Sequence, residues 1–138
     1  MTHDVGDEIG PLRLILTGDQ IRAYSVAAKM PGGRFTSDDE ARKEGLPGQI
    51  APGNLSLALF SRLLAETLPE GKVKRLSGTF RALVRPDVPL LLRGVVTERH
   101  CRESGDVLEC DLVLETEAGD RLVIGTAEVT AGTTGSEV

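Results

Sequence analysis

The sequence predicts an α+β fold, a single domain in which an antiparallel sheet wraps around a long central buried helix. Three observations carry this expectation. Over residues 53–68, Leu55, Leu59, Leu63 and Leu64 recur at helical spacing, while Leu57, Ala58, Phe60 and Leu68 widen the apolar surface most of the way round. A helix that is apolar on nearly all sides is buried on nearly all sides. After Gly71 the period changes to two: Leu76, Gly78, Phe80 and Ala82 alternate with Arg75, Ser77, Thr79 and Arg81. Farther on, Leu108, Cys110, Leu112 and Leu114 alternate with Glu109, Asp111, Val113 and Glu115. Alternation of this kind marks strands with one face turned inward. The third observation is size, since 138 residues at 40% hydrophobic and 27% charged make one ordinary domain. Such a domain buries a core without metals or disulfides.

The elements follow in order. Residues 1–10 are polar and acidic and read as an N-terminal tail; residues 11–131 form the domain; residues 132–138 are small and polar and read as a flexible C-terminal tail. The run Leu12, Leu14, Ile15, Leu16 reads as a strand. Thr17 and Gln20 then stand in the spacing of a capping box. That box starts a helix reaching about Ala28, with Ile21, Tyr24 and Ala28 on one face. Pro31, Gly32, Gly33, Gly45, Pro47 and Gly48 break residues 30–49 into a long loop. A short helix capped by Ser37 fits residues 38–44 within it. Loops of this length in a compact domain are usually functional or mobile. The long helix ends at Pro69 and Gly71, and strands occupy residues 72–82, 90–99, 108–115 and 122–129. Turns at Ser104-Gly105 and at residues 118–120 separate the later ones.

Bulk properties exclude several function classes. A net charge of −5 supplies no attraction to nucleic acid or an anionic membrane, and three Phe, one Tyr and no Trp make no base-stacking platform. No apolar run approaches the roughly 20 residues that span a bilayer. The two cysteines, Cys101 and Cys110, flank a predicted hairpin without standing opposite each other, so no bridge is expected. A reduced, cytoplasmic setting fits. No His, Cys and carboxylate spacing resembles a metal site, and neither a metal nor a cofactor is expected.

The segment from Tyr24 to Leu55 resembles the MaoC-like hydratases and dehydratases. That family carries a Tyr, a small-residue helix end with a Gly-Asp pair, and an Asn-Pro-Ile-His segment. An Ala, a Gly-Phe-Pro-Gly turn and Ile-Ala-His-Gly-Met-Leu opening the central helix follow. Here Tyr24, Ala41, Gly45-Leu46-Pro47-Gly48 and Ile50-Ala51-Pro52-Gly53-Asn54-Leu55 fall in the same register without a gap. The strands around Leu76 to Arg81 and Gly125 to Val129 are similar as well. The resemblance implies the hotdog fold. It also implies a groove for an acyl or enoyl thioester, carried by coenzyme A or a carrier protein, and a pairing of two hotdog domains in a homodimer or a heteromer.

The same register exposes departures. The family's catalytic Asp falls on Met30, its Asn on Gly32, its catalytic His on Phe35, and the helix-opening His on Pro52. In the family, Asp and His activate a water that adds across an enoyl thioester, or run the reverse elimination. Such proton transfer needs groups that titrate within hydrogen-bond reach of substrate. Met30 and Phe35 do not titrate, so the catalytic residues of this chain, if it has any, are unknown. Asp38 and Asp39 are candidate stand-ins, although acids at a helix start more ordinarily complement its dipole. Lys29 adjoins the lost Asp position, although lysines are mostly exposed. His3 and His100 lie far along the chain from the loop, and Cys110 reads as a small core residue.

The binding machinery is retained. Pro52, Gly53 and Asn54 open the central helix, where free N–H groups and the positive dipole end suit a thioester carbonyl. With Tyr24, Lys29, Met30 and Phe35 they are the expected substrate-binding residues; Arg81 and Arg85 are candidates for the carrier's phosphates. The expected function is thioester binding as the non-catalytic subunit of a heteromeric hydratase or dehydratase. The alternatives are a repurposed hotdog enzyme (a cyclase, isomerase or thioesterase) and a non-catalytic acyl-CoA-binding module.

Overall fold

The computed structural model describes residues 3–130. Strand β1 (Glu8–Ile15) leads into helix α1 (Gly18–Ala27). A 3-10 turn (Gly33–Phe35) and helix α2 (Asp38–Lys43) follow, then the long helix α3 (Gly53–Thr67). Strands β2 (Lys72–Phe80), β3 (Pro89–His100), β4 (Val107–Thr116) and β5 (Arg121–Thr130) complete the chain. The strands make one antiparallel sheet in the order β1-β3-β4-β5-β2, so β1 and β2 are its edges.

Local chemistry sets the element boundaries. Thr17 accepts from the Gln20 amide at 3.1 Å while the Gln20 side chain accepts from the Thr17 amide at 2.9 Å, completing the expected capping box. Ser37 caps α2 through the Glu40 amide at 3.3 Å. The alternation in β4 is as read: Leu108, Cys110, Leu112 and Leu114 are buried and meet α3 in one core. Phe60 is the largest side chain in that core, and it lies on β5 because Gly125 has no side chain. A Cβ at Gly125 would stand 2.8 Å from the Phe60 ring.

Several expectations are corrected. The first strand starts at Glu8 rather than at residue 11, so the N-terminal tail is shorter than the polar composition suggested. Ile9 is only 1% exposed, and its burial directly after the acidic Asp7 and Glu8 anchors the start of the strand. Ala28 is the exposed cap of α1 and does not share a buried face with Ile21. The sheet wraps α3, yet the helix is buried along one side only. Leu55, Ser56, Leu59, Phe60, Leu63 and Leu64 face the core, while Asn54, Ala58, Arg62 and Ala65 are exposed. Phe80 is in phase with its strand but 52% exposed, because β2 is an edge and ends there. The expected tail at residues 132–138 lies outside the described residues. Among the described residues, no helix is long and apolar enough to cross a membrane.

Candidate functional site

Residues 28–52 run from the end of α1 to the start of α3, and one buried side chain fixes their course. Gln49 donates through Nε2 to the carbonyls of Gly18 at 2.9 Å and Phe35 at 2.8 Å. Its amide donates to Asp38 Oδ1 at 2.7 Å, and its carbonyl accepts from Arg85 Nε at 3.1 Å. Gln49 thereby ties together α1, the 3-10 turn, α2 and the segment between β2 and β3. Gly48 permits the crossing, since a Cβ there would stand 2.6 Å from the Arg85 guanidinium and 2.8 Å from Asp38. Ile50 and Ala51 then pair in extended fashion, donating to the Arg34 carbonyl at 3.0 Å and the Val84 carbonyl at 2.8 Å. The chain reaches α3 with Pro52 as the helix cap and Gly53 as the first helical residue.

This frame encloses a groove of about 280 Å³ at the start of α3. Phe35, Ile50, Ala51, Gly53, Phe80 and Val84 line it, with Arg34 and Ser56 as its polar side chains. Phe35 is 6% exposed, and the Arg34 guanidinium lies 4.9 Å from its ring centroid, a cation–π distance. The Phe80 ring leans over the helix start, where a Cβ on Gly53 would stand 3.0 Å from it. A larger side chain at position 53 would therefore close the approach to the first backbone N–H groups of α3. Those groups and the helix dipole are the site's electrostatic asset, suited to a partial negative charge on oxygen.

The residues singled out from sequence distribute unevenly around this groove. Phe35 and Gly53 line it, and buried Pro52 caps the helix rather than occupying its first turn. Met30 stands beside the helix start, its Sδ accepting from Asn54 Nδ2 at 3.4 Å, so Asn54 faces the loop. Tyr24 is half-buried against the core, and Lys29 is exposed at the turn out of α1 with φ 55°, a left-handed conformation. Arg81 is exposed at the end of β2, whereas Arg85 is half-buried and braces Gln49. Asp38 is turned onto the Gln49 amide and Asp39 pairs with Arg42 at 3.4 Å. Both acids are thus engaged within the α2 framework. Sequence reasoning passed over Gln49, Ser56, Phe80 and Val84. Gln49 sits inside the turn-and-helix motif, but its four-way bonding depends on folds of the chain that the motif does not encode.

The remaining reactive groups lie elsewhere. Cys110 is 1% exposed, and burial, helped by Asp111 and Glu109, pushes its thiol up to about 11. A thiol so placed is a core group rather than a nucleophile. It pairs with Val96 across the sheet, and both cysteines are free. Spacing gave no metal cluster, yet register brings Glu98, His100 and Glu109 together, their ligand atoms within 4.8 Å of one another. His100 Nε2 is 2.6 Å from Glu109. This triad is eight strand residues from Leu92, the β3 residue in the cross-strand row of Phe80, or about 26 Å of extended chain. A second hollow of about 340 Å³ lies where Arg93 and Arg121 flank Val95, Val113 and Ile124 on the sheet.

Solved structures with the same arrangement are numerous. The (R)-hydratase from A. caviae involved in PHA biosynthesis superposes with a TM-score of 0.84 at 21% identity, covering 94% of this chain and 98% of that one. The ChsH1-ChsH2 complex from Mycobacterium tuberculosis gives 0.83 at 17% identity, covering 95% and 99%. The MaoC-like dehydratase from Rhodospirillum rubrum gives 0.82 at 20% identity, covering 94% and 92%. This chain has the hotdog fold. At these identities the likeness is one of hotdog architecture. No family model matches the sequence. One curated protein, the Drosophila melanogaster U3 small nucleolar RNA-associated protein 18 homolog, is 37% identical over 65 residues. That match spans 47% of this chain and 13% of the other protein, a local similarity that does not encompass the hotdog domain.

Proposed function

We propose that this hotdog protein is a relative of the MaoC-like hydratases and dehydratases that binds acyl or enoyl thioesters of coenzyme A or a carrier protein. Its role is that of the non-catalytic subunit of a heteromeric hydratase or dehydratase. The observation that carries the reading is the groove at the start of α3, which keeps an anion-favouring helix terminus at Gly53 and is walled by Phe35. Phe35 and Met30 hold the register positions where the family resemblance expects the acid–base pair, and neither moves a proton. A second chain must then supply that pair, and one of the structural neighbours is itself a complex of two named chains.

The test is reconstitution. The chain is purified alone and with a hotdog subunit that carries Asp and His in the same register, and each is assayed with enoyl-CoA substrates. The expected result is no hydration by the chain alone, and a stable mixed complex whose preferred acyl length differs from that of the catalytic subunit by itself. Turnover by the purified chain alone would favour a repurposed enzyme. Tight acyl-CoA binding with no partner and no turnover would favour a binding module.

A further inference from the structure

The β3–β4 hairpin presents its charged residues in an order that strict strand alternation would not give. From Leu90 opposite Thr116 to Val96 opposite Cys110 the two strands pair residue for residue. Thr97 is then an extra residue, and pairing resumes with Glu98 opposite Glu109. An unbroken ladder would set Thr97 opposite Glu109 and Arg99 diagonal to it, on the face turned away from the core. The bulge puts Glu98 and His100 in those places instead. Thr97 Oγ1 donates to the Glu109 carbonyl at 3.1 Å, which secures the extra residue. Bulges re-aim side chains. This one exchanges a hydroxyl and a cation beside Glu109 for a carboxylate and an imidazole.

The exchange concentrates negative charge. Glu109 stands opposite Glu98 on one side and Glu128 on the other, so three carboxylates share one row across β3, β4 and β5. Like charges directly opposite each other destabilise a sheet. The cations nearby are spent elsewhere: Arg75 is opposite Glu128, and Arg99 pairs with Asp106 and Asp4. Among the described residues, His100 is the sole ion-pair partner of Glu98 and Glu109, its Nε2 lying 3.6 Å from the first and 2.6 Å from the second. One ligand atom from each of the three lies within 4.8 Å of the others. A tetrahedral zinc ion with nitrogen and oxygen ligands at their usual lengths sets those atoms about 3.3 Å apart. The two separations bracket that value, and all three side chains are partly open to solvent, so an ion can enter.

We propose that Glu98, His100 and Glu109 form a site for a divalent transition-metal ion of the zinc class on the outer face of the β3–β4 hairpin, with the fourth coordination position left to water. Imidazole with two carboxylates suits zinc rather than magnesium or calcium, whose sites are built from oxygen ligands. The ion replaces the hydrogen bond between His100 and Glu109, neutralises the facing glutamates and ties β3 to β4 across the bulge. All three ligands sit on strands, so the backbone holds the site in place before the ion arrives. The inference stands apart from the thioester-binding reading and from the groove at the start of α3.

Calorimetric titration of the chelator-treated full chain with zinc chloride tests this, with magnesium chloride as the contrast. The expected result is one zinc ion per chain, no comparable binding of magnesium, and a melting temperature that climbs with zinc concentration. His100→Ala and Glu109→Gln are each expected to lose the binding and the rise in melting temperature together. Should either fail to fold, Glu98→Gln removes a ligand at the most exposed of the three positions and is expected to do the same. Cys101→Ser is expected to bind zinc like the parent, since the thiol next to His100 is not a ligand. Absence of zinc binding by the parent would overturn the proposal. So would binding that survives the loss of His100 or Glu109, or binding that disappears with Cys101, which would put the ion on the thiol.

Discussion

At the scale of single residues, Gln49 does more than any side chain that touches the groove. It satisfies two backbone carbonyls with one amide and presents its own backbone to Asp38 and Arg85. Gln49→Ala leaves the buried Phe35 carbonyl and the part-buried Gly18 carbonyl without this donor. Each lost bond is worth about 1 kcal/mol, and the unsatisfied groups add to it, so a loss of about 2–4 kcal/mol is expected. Urea unfolding should show this as a lower midpoint at unchanged slope. A variant within a few tenths of a kcal/mol of the parent would mean that water or a rearranged loop replaces the amide. The same residue shows why part of the site was illegible in the sequence. Thr17 with Gln20, and Ser37 with Glu40, bond within one turn, so their spacing announces them. Gln49 bonds to residues 11, 14, 31 and 36 positions away, and no spacing rule reaches that far.

At the scale of elements, the strands were read well where both faces have distinct surroundings and poorly where they do not. Alternation placed Leu108, Cys110, Leu112 and Leu114 inward because β4 has a neighbour on each side and α3 across one face. The same alternation misplaced Phe80, because an edge strand that ends at its groove has no core beneath its last residue. The β3–β4 hairpin carries a further consequence of pairing. Arg99 holds Asp106 through a side-chain hydrogen bond and by charge, which keeps the carboxyl below its usual range. A depressed carboxyl stabilises the fold above its unfolded value, about 3.9 for Asp, and that contribution is lost as pH falls through the folded value. Asp106→Asn should thus lower the urea midpoint at neutral pH, and the difference from the parent should shrink as pH drops below about 3.9. A difference that persisted undiminished in acid would assign the effect to the turn rather than to the ion pair.

At the scale of the whole molecule, the two thiols report separately on the core and the surface. Cys101 is exposed beyond the end of β3, whereas Cys110 is sealed beneath α3 with its thiol raised to about 11. A thiol reagent at neutral pH should label one cysteine in the folded protein and two after denaturation, with Cys101 identified as the native site by mass spectrometry. Rapid native labelling of Cys110 would show that the helix lifts from the sheet far more often than a packed core allows.

The bracing of residues 28–52 also bears on how such a protein arises. The loop's path is held by Gln49, Asp38, Arg85 and Gly48, none of which occupies the register positions of Met30 or Phe35. Scaffold and chemistry are therefore separable by mutation. On the proposed reading, an acid–base pair at these two positions could give way to a thioether and a phenyl ring while the loop kept its shape. The reverse graft, Met30→Asp with Phe35→His, would leave the side-chain bonds of that frame in place.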